Sequence, residues 1–163
     1  GLGDVYKRQV LVTFWRHVMN LAFNIAIHVL AFLAKHNHQR YHSTELAELT
    51  CINPVQLRRV AALLTHYGYI NTILGNGGGY QANDITNHVK LSDLYQSFVL
   101  DKRTNQKRIF TGNQSSHCVI ARHIEDTMTY HHNQEDKHIL NYYSSITIQD
   151  IIQQIHQEDN NND

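Results

Sequence analysis

The 163-residue chain carries 14 Lys/Arg, 14 Asp/Glu and 13 His, so its net charge near neutral pH is zero. A length of this order suits one core with an appendage, and a zero net charge excludes a uniformly basic coat. Two cysteines, Cys51 and Cys118, lie far apart and form no Cys-x-x-Cys pair, which argues against a disulfide framework or a four-thiolate zinc site and fits a reducing cytoplasm.

The zero hides an asymmetry. Residues 20–113 hold nine Lys/Arg against five acids, a net of +4, whereas residues 114–163 hold two against eight, a net of −6. A basic body with an acidic tail suits a nucleic-acid binder whose tail stays off the phosphates. No membrane span is expected, because the most apolar run, Leu21 to Ala34, is interrupted by Asn24 and His28 and falls short of the roughly 20 residues required.

In chain order, residues 1–18 stand apart. Asp4 to Gln9 resembles the translated end of a transposon used in sequencing libraries, and Met19 is the natural start, so these residues are expected to be dispensable. Leu21, Ile25, Val29, Phe32 and Leu33 then keep helical spacing, with Phe23, Ile27 and Leu30 making the other side apolar, so the first helix must be covered on most sides. Ser43 is a good N-cap for a two-turn helix carrying Leu46, Ala47 and Leu49. Asn53 caps the next helix and Pro54 occupies its first position, where a missing N–H costs nothing. Leu57, Val60, Ala61 and Leu64 form its apolar face, and Gly68 supplies a left-handed terminator.

Tyr69–Leu74 and Tyr80–Ala82 read as strands flanking the turn Gly75-Asn76-Gly77-Gly78-Gly79, a β-hairpin wing. Leu91, Leu94, Tyr95 and Phe98 restore helical spacing behind Ser92, and Asp101 to Ser116 reads as loop. His117 to about Ser144 is one long helix, with Ile124, Met128, His132, Glu135, Ile139 and Tyr142 tracing a coiled-coil-like seam. Thr147 and Asp150 make a capping box for a last helix whose face is Ile148, Ile151, Ile152 and Ile155, and the tail from Gln157 is polar.

This order of elements resembles the Rrf-two family of bacterial winged helix-turn-helix regulators. The matching segments are Asn24 to Leu30, Ser43 to Glu48, Asn53 to Leu64, Gly68-Tyr69-Ile70, Gly75 to Tyr80, and Ile146 to Ile152. The resemblance implies a mainly α fold with a small β-hairpin: a winged helix-turn-helix domain over residues 19–83, linker and dimerisation helices over 84–156, and a disordered tail over 157–163. It also implies a cytoplasmic homodimer that binds double-stranded DNA at a pseudo-palindromic operator, represses transcription and catalyses nothing. Family members that hold an iron-sulfur cluster present three cysteines before the long helix. Only Cys118 stands there, so the chain resembles the cluster-free members and no cofactor is expected.

The expected DNA contacts are Asn53, Pro54, Val55, Gln56, Arg58 and Arg59 on the recognition helix, since Arg bridges guanine and Gln adenine in the major groove. Ser43 and Thr44 are expected at phosphate, because free N–H groups at a helix start attract anions. Asn76, Gly77 and Gly78 are expected in the minor groove. The glycines do not read as a nucleotide-binding loop, since no Gly-Lys-Ser/Thr follows and the next element is a strand.

Cys118 with His117 is a candidate sensing thiol at a helix start, weighed equally against an inert, partly buried cysteine. Cys51 is expected to be a small core residue. His117, Cys118 and His123, or His131, His132, Glu135 and Asp136, could hold a metal, but a His-Glu-x-x-His pattern is absent and no metal site is expected. Two rivals remain: a winged-helix protein-interaction module without DNA binding, and a His-dependent metal-binding enzyme.

Overall fold

The computed structural model describes residues 21–103 and 111–161. The expectation for residues 1–18 therefore lies outside the described residues, as does the loop expectation for 104–110.

Helix α1 occupies residues 21–35 and is covered on most sides. Phe23, Ile25, Ala26, Val29, Leu30, Leu33 and Ala34 are buried, while Asn24 and His28 form the thin exposed stripe their polarity demands. Around α1 stand α2 (Ser43–Thr50) and α3 (Pro54–His66), joined by a three-residue turn. Ser43 is not the cap expected of it. His42 takes that position in extended conformation without a side-chain bond, and Ser43 is already helical. The cause is long-range: Tyr41 is held extended by reciprocal backbone bonds with Tyr80, at 3.0 and 2.9 Å, so the chain turns helical only beyond His42.

Cys51 is also not the core residue expected. It is exposed and left-handed (φ 55°), closing α2 while the Ile52 N–H donates to the Ala47 carbonyl at 3.1 Å. A side chain is unusual at that angle, costing roughly 1–2 kcal/mol. The turn between α2 and α3 requires it nonetheless.

Helix α3 starts as its sequence dictates. Asn53 Oδ1 accepts from the backbone N–H of Val55 at 3.0 Å and of Gln56 at 3.3 Å, and Pro54 occupies the first turn. Leu57, Val60, Ala61 and Leu64 are buried against α1 and α2, each large side chain contributing about 1.5–3 kcal/mol of burial. Gly68, at φ 74°, ends the helix while the Tyr69 N–H donates back to the Leu64 carbonyl.

The wing follows. Strands β1 (Ile70–Ile73) and β2 (Gly79–Ala82) pair antiparallel, Ile70 opposite Ala82 and Ile73 opposite Gly79. Tyr41 adds a one-residue third strand on the free edge of β2. Where β2 leaves the sheet, Thr86 is buried and its hydroxyl donates to the Tyr69 carbonyl at 2.7 Å. This fixes the direction of the chain leaving the wing.

Helix α4 (Leu91–Tyr95) runs through one π turn (Gln96–Leu100) into the short α5 (Asp101–Arg103). Its N-cap is Lys90 rather than Ser92, which lies inside the first turn. The long helix α6 (Val119–Tyr143) buries none of its residues fully. Ile139, Leu140 and Tyr143 nevertheless pack on the core, so Ile139, expected in the seam, is half-buried against its own domain, while Tyr142 points out. Arg103 ties α5 to α6 through a 3.2 Å ion pair with Asp136.

Helix α7 (Ile148–Asn160) opens with the expected capping box: the Thr147 hydroxyl accepts from Asp150 N–H, and the Thr147 N–H donates to the Asp150 carboxylate. The Thr147 N–H and hydroxyl, both donating to the Asp150 carboxylate at 2.8 Å, hold that carboxyl below its ordinary value. Ile148 is wholly buried and Ile151 and Ile152 half-buried, but Ile155 faces outward. Just before α7 the chain makes a bridge: Leu91 N–H donates to the Ile146 carbonyl at 2.9 Å and Ile148 N–H to the Val89 carbonyl at 3.0 Å.

Candidate nucleic-acid interface

Burying Leu57, Val60, Ala61 and Leu64 forces the other side of α3 outward. Val55 is 63% exposed, Arg58 and Arg59 are exposed, and Gln56 is half-buried. Neither arginine makes an ion pair among the described residues, so both guanidinium groups remain available to an anion or a base edge. The exposed Val55, one turn before the two arginines, is an apolar group suited to a thymine methyl.

Asn53 and Pro54 are exposed at the start of the same helix. The Asn53 carbonyl oxygen is committed to the cap. Thr44 is exposed and Ser43 half-buried in the first turn of α2, whose first N–H groups lack helical partners.

The wing stands beside α3. The Thr65 and Thr72 hydroxyls meet at 2.6 Å, linking the end of α3 to β1. Burial raises the pKa of the Tyr80 phenol on β2, and the charge of Arg58 on the recognition helix partly opposes that rise. Asn76 and Gly77 form the exposed tip. Gly78, named with them from sequence, is buried: a Cβ there would lie 2.1 Å from the Ile73 carbonyl oxygen, so its part is to close the turn.

Two features escaped sequence reasoning. Leu74, at 89% exposure, is an apolar side chain held out at the wing tip, and the hairpin from Ile70 to Ala82 contains no charged residue. Such a tip can meet a minor groove by shape, by apolar contact and by the neutral Asn76 amide, but not by charge. Arg40 donates through Nε to Gln81 Oε1 at 3.2 Å, which joins a basic loop to the wing. A lone Leu before a glycine run was the available signal for the first; the second depends on pairing across 41 residues and left none.

The other candidates do not assemble. His117, Cys118 and His123 are exposed, and Asp136 is engaged by Arg103 rather than gathered with His131 and His132. His132 Nδ1 and Glu135 sit 3.2 Å apart as a pair one turn along the helix. Among the described residues no group of three or more His, Cys, Asp or Glu could hold a metal ion. Cys118 is the exposed N-cap of α6, not a partly buried residue.

A helix-turn-helix with an exposed, cationic second helix and a glycine-tipped wing defines a winged helix-turn-helix DNA-binding protein. The family model that matches covers residues 19–154 and is described as an iron-dependent transcriptional regulator, Rrf2; the chain belongs to the Rrf2 family of transcription regulators. It is similar in structure to a protein of Lactobacillus plantarum described as a candidate transcriptional regulator. That likeness has a TM-score of 0.74 and 25% identity, covering 88% of this chain and 99% of the other. The IscR of T. potens (TM-score 0.57, 17% identity, 83% and 85% covered) and the CymR of Staphylococcus aureus (0.51, 15%, 80% and 94%) share the fold. No curated protein matches the sequence.

The family's description names iron, and the donor set of this chain can be tested against an iron-sulfur cluster. Such clusters are held by several thiolates. This chain has two cysteines, one in the α2–α3 turn and one at the start of α6, and both are exposed rather than gathered into a pocket. These residues do not fit a cluster of that kind. Among the described residues no helix is long and apolar enough to cross a membrane.

Proposed function

We propose that the protein is a cytoplasmic, homodimeric repressor that binds a pseudo-palindromic operator and catalyses no reaction. The observation that carries this is the division of α3: one face wholly buried, the other presenting Val55, Arg58 and Arg59 to solvent with both cations unpaired among the described residues. In the proposed complex α3 enters the major groove and Asn76 and Gly77 the adjacent minor groove. Thr44 and Ser43 meet phosphate at the start of α2.

The partner copy supplies the second half-site one helical turn away, through α6. That helix carries the expected seam, and Val119, Ile120, Tyr130 and Tyr142 are exposed along it, apolar side chains that a second copy would help to cover.

Sequencing the genomic fragments that the purified protein retains tests this reading. A shared inverted repeat is expected; capture without any common sequence would favour a protein-interaction module. On such a fragment, Arg58→Ala or Arg59→Ala is expected to weaken binding by about 1–3 kcal/mol where the arginine reads a base. A phosphate contact would instead weaken all sequences alike and lower the salt slope by about one unit. Unchanged affinity in both variants would show that α3 does not read DNA.

The cysteine set supports a cluster-free protein, with Cys118 as the group through which a redox signal would act. Peroxide would oxidise its thiolate to a sulfenic acid and be reduced to water, changing the cap of α6 and with it the spacing of two DNA-reading heads. Anaerobically purified protein is expected to be colourless. Mild peroxide should lower operator affinity in the wild type and not in Cys118→Ser; equal responses remove Cys118 as the sensor, and a brown, iron-bearing protein overturns the cluster-free reading.

A further inference from the structure

The segment that links α1 to α2 carries an unusual density of basic groups: Lys35, His36, His38, Arg40 and His42 within eight residues. No acidic residue occurs between Asn20 and Thr44. Chain connectivity alone would leave this stretch a surface loop, but the structure pins it. Tyr41 pairs with Tyr80 of β2, Arg40 Nε donates to Gln81, and Gln81 Nε2 donates back to the Asn37 carbonyl at 3.3 Å. His36 sits in a three-ring cluster with Phe32 and Tyr41, ring centroids 4.7 and 6.1 Å away, whereas His38, Arg40 and His42 are exposed.

Its position follows from those ties. The loop is the outer edge of the wing sheet, next to the strand whose Tyr80 feels the charge of Arg58, and it runs directly into the N-terminus of α2, where His42 is the cap. It therefore lies between the wing and the start of α2, the two places that flank the recognition helix. The wing itself is uncharged from Ile70 to Ala82, so the cationic groups beside it are those of this loop and Arg58 of α3.

We propose that His38, Arg40 and His42 form a proton-dependent clamp on the DNA backbone next to the wing. The clamp rests on the DNA-binding reading above and adds to it a second contact surface with its own control. Arginine as a residue type stays cationic at physiological pH, while histidine as a type gains its charge as pH falls through the range near 6.5. A phosphate held against a histidine favours the protonated ring, so DNA binding takes up protons and tightens on acidification. The neighbouring elements leave that response open: α1 brings Lys35, the turn after it His36, β2 the neutral Gln81 and the Tyr80 phenol, and α3 Arg58. The acids nearby are the exposed Glu45 and Glu48 of α2.

The test uses the full chain and a fluorescein-labelled mixed-sequence duplex of about 30 base pairs, long enough for two half-sites a helical turn apart. Anisotropy is measured at pH 6, 7 and 8 at fixed salt, with a salt titration at each pH. The wild type is expected to bind roughly tenfold more tightly at pH 6 than at pH 8. H38Q/H42Q should lose most of that gain between pH 8 and pH 6, and H38K/H42K should bind at pH 8 as the wild type does at pH 6. R40Q should lower the salt slope by about one unit per bound protomer at every pH.

A wild type that binds equally at all three pH values, or a double glutamine variant with an undiminished response, overturns the clamp while leaving DNA binding standing. Failure of the wild type to bind the duplex at any pH would overturn both.

Discussion

Gly79→Val is expected to abolish the wing, costing about 3 kcal/mol or more and removing DNA affinity with it. Gly79 sits at φ 133°, which side chains rarely adopt, and a Cβ added there would lie 2.5 Å from the Tyr41 carbonyl oxygen. Neither problem can be relieved locally. The obstructing atom is backbone, and Tyr41 is fixed because its N–H and carbonyl both pair with Tyr80. Valine must therefore break the Tyr41–Tyr80 bridge or flatten β2, and either releases Arg40 and Gln81 from each other. Urea denaturation measures the stability loss, and anisotropy on a retained fragment measures the binding. A variant within about 0.5 kcal/mol of wild type, with intact affinity, would show that the close approach is not maintained in solution.

The parts of this fold that the sequence discloses are those whose cause is local. Asn53 with Pro54 starts α3, Gly68 ends it, and Thr147 with Asp150 opens α7, because each needs only neighbours within a few residues. The four apolar residues of α3 are legible for the same reason, and with them the exposed face that carries Arg58 and Arg59.

Where a distant segment decides, local signals mislead. Ser43 is the better capping residue, yet His42 caps α2, because strand pairing 39 residues away governs where the helix begins. Cys51 has the chemistry of a core residue and the conformation of a glycine, since the turn between α2 and α3 leaves it no other angle. The strand at Tyr41 is a single residue, which has no periodicity to detect. The seam on α6 rests on spacing alone, and spacing does not disclose that Ile139 packs on the core of its own chain.

Ile148→Ala is expected to destabilise the protein by about 2–5 kcal/mol, the cost of removing a large buried aliphatic side chain. Ile148 is fully buried although it lies near the end of the chain, and it belongs to the same apolar cluster as Leu30, Leu57 and Phe98. Its backbone N–H is also spent on the Val89 carbonyl, and the preceding Ile146 carbonyl accepts from Leu91. The start of α7 is therefore wedged into the winged domain, between the exit from the wing and the start of α4, with 48 residues of chain, from 96 to 143, returning between the π turn and the end of α6. Cavity formation there should loosen the whole core. Urea unfolding followed by circular dichroism should show one cooperative transition with a lower midpoint and an unchanged slope. If instead α7 frays alone, with the main transition unmoved, the closing helix is an accessory and the core is complete without it.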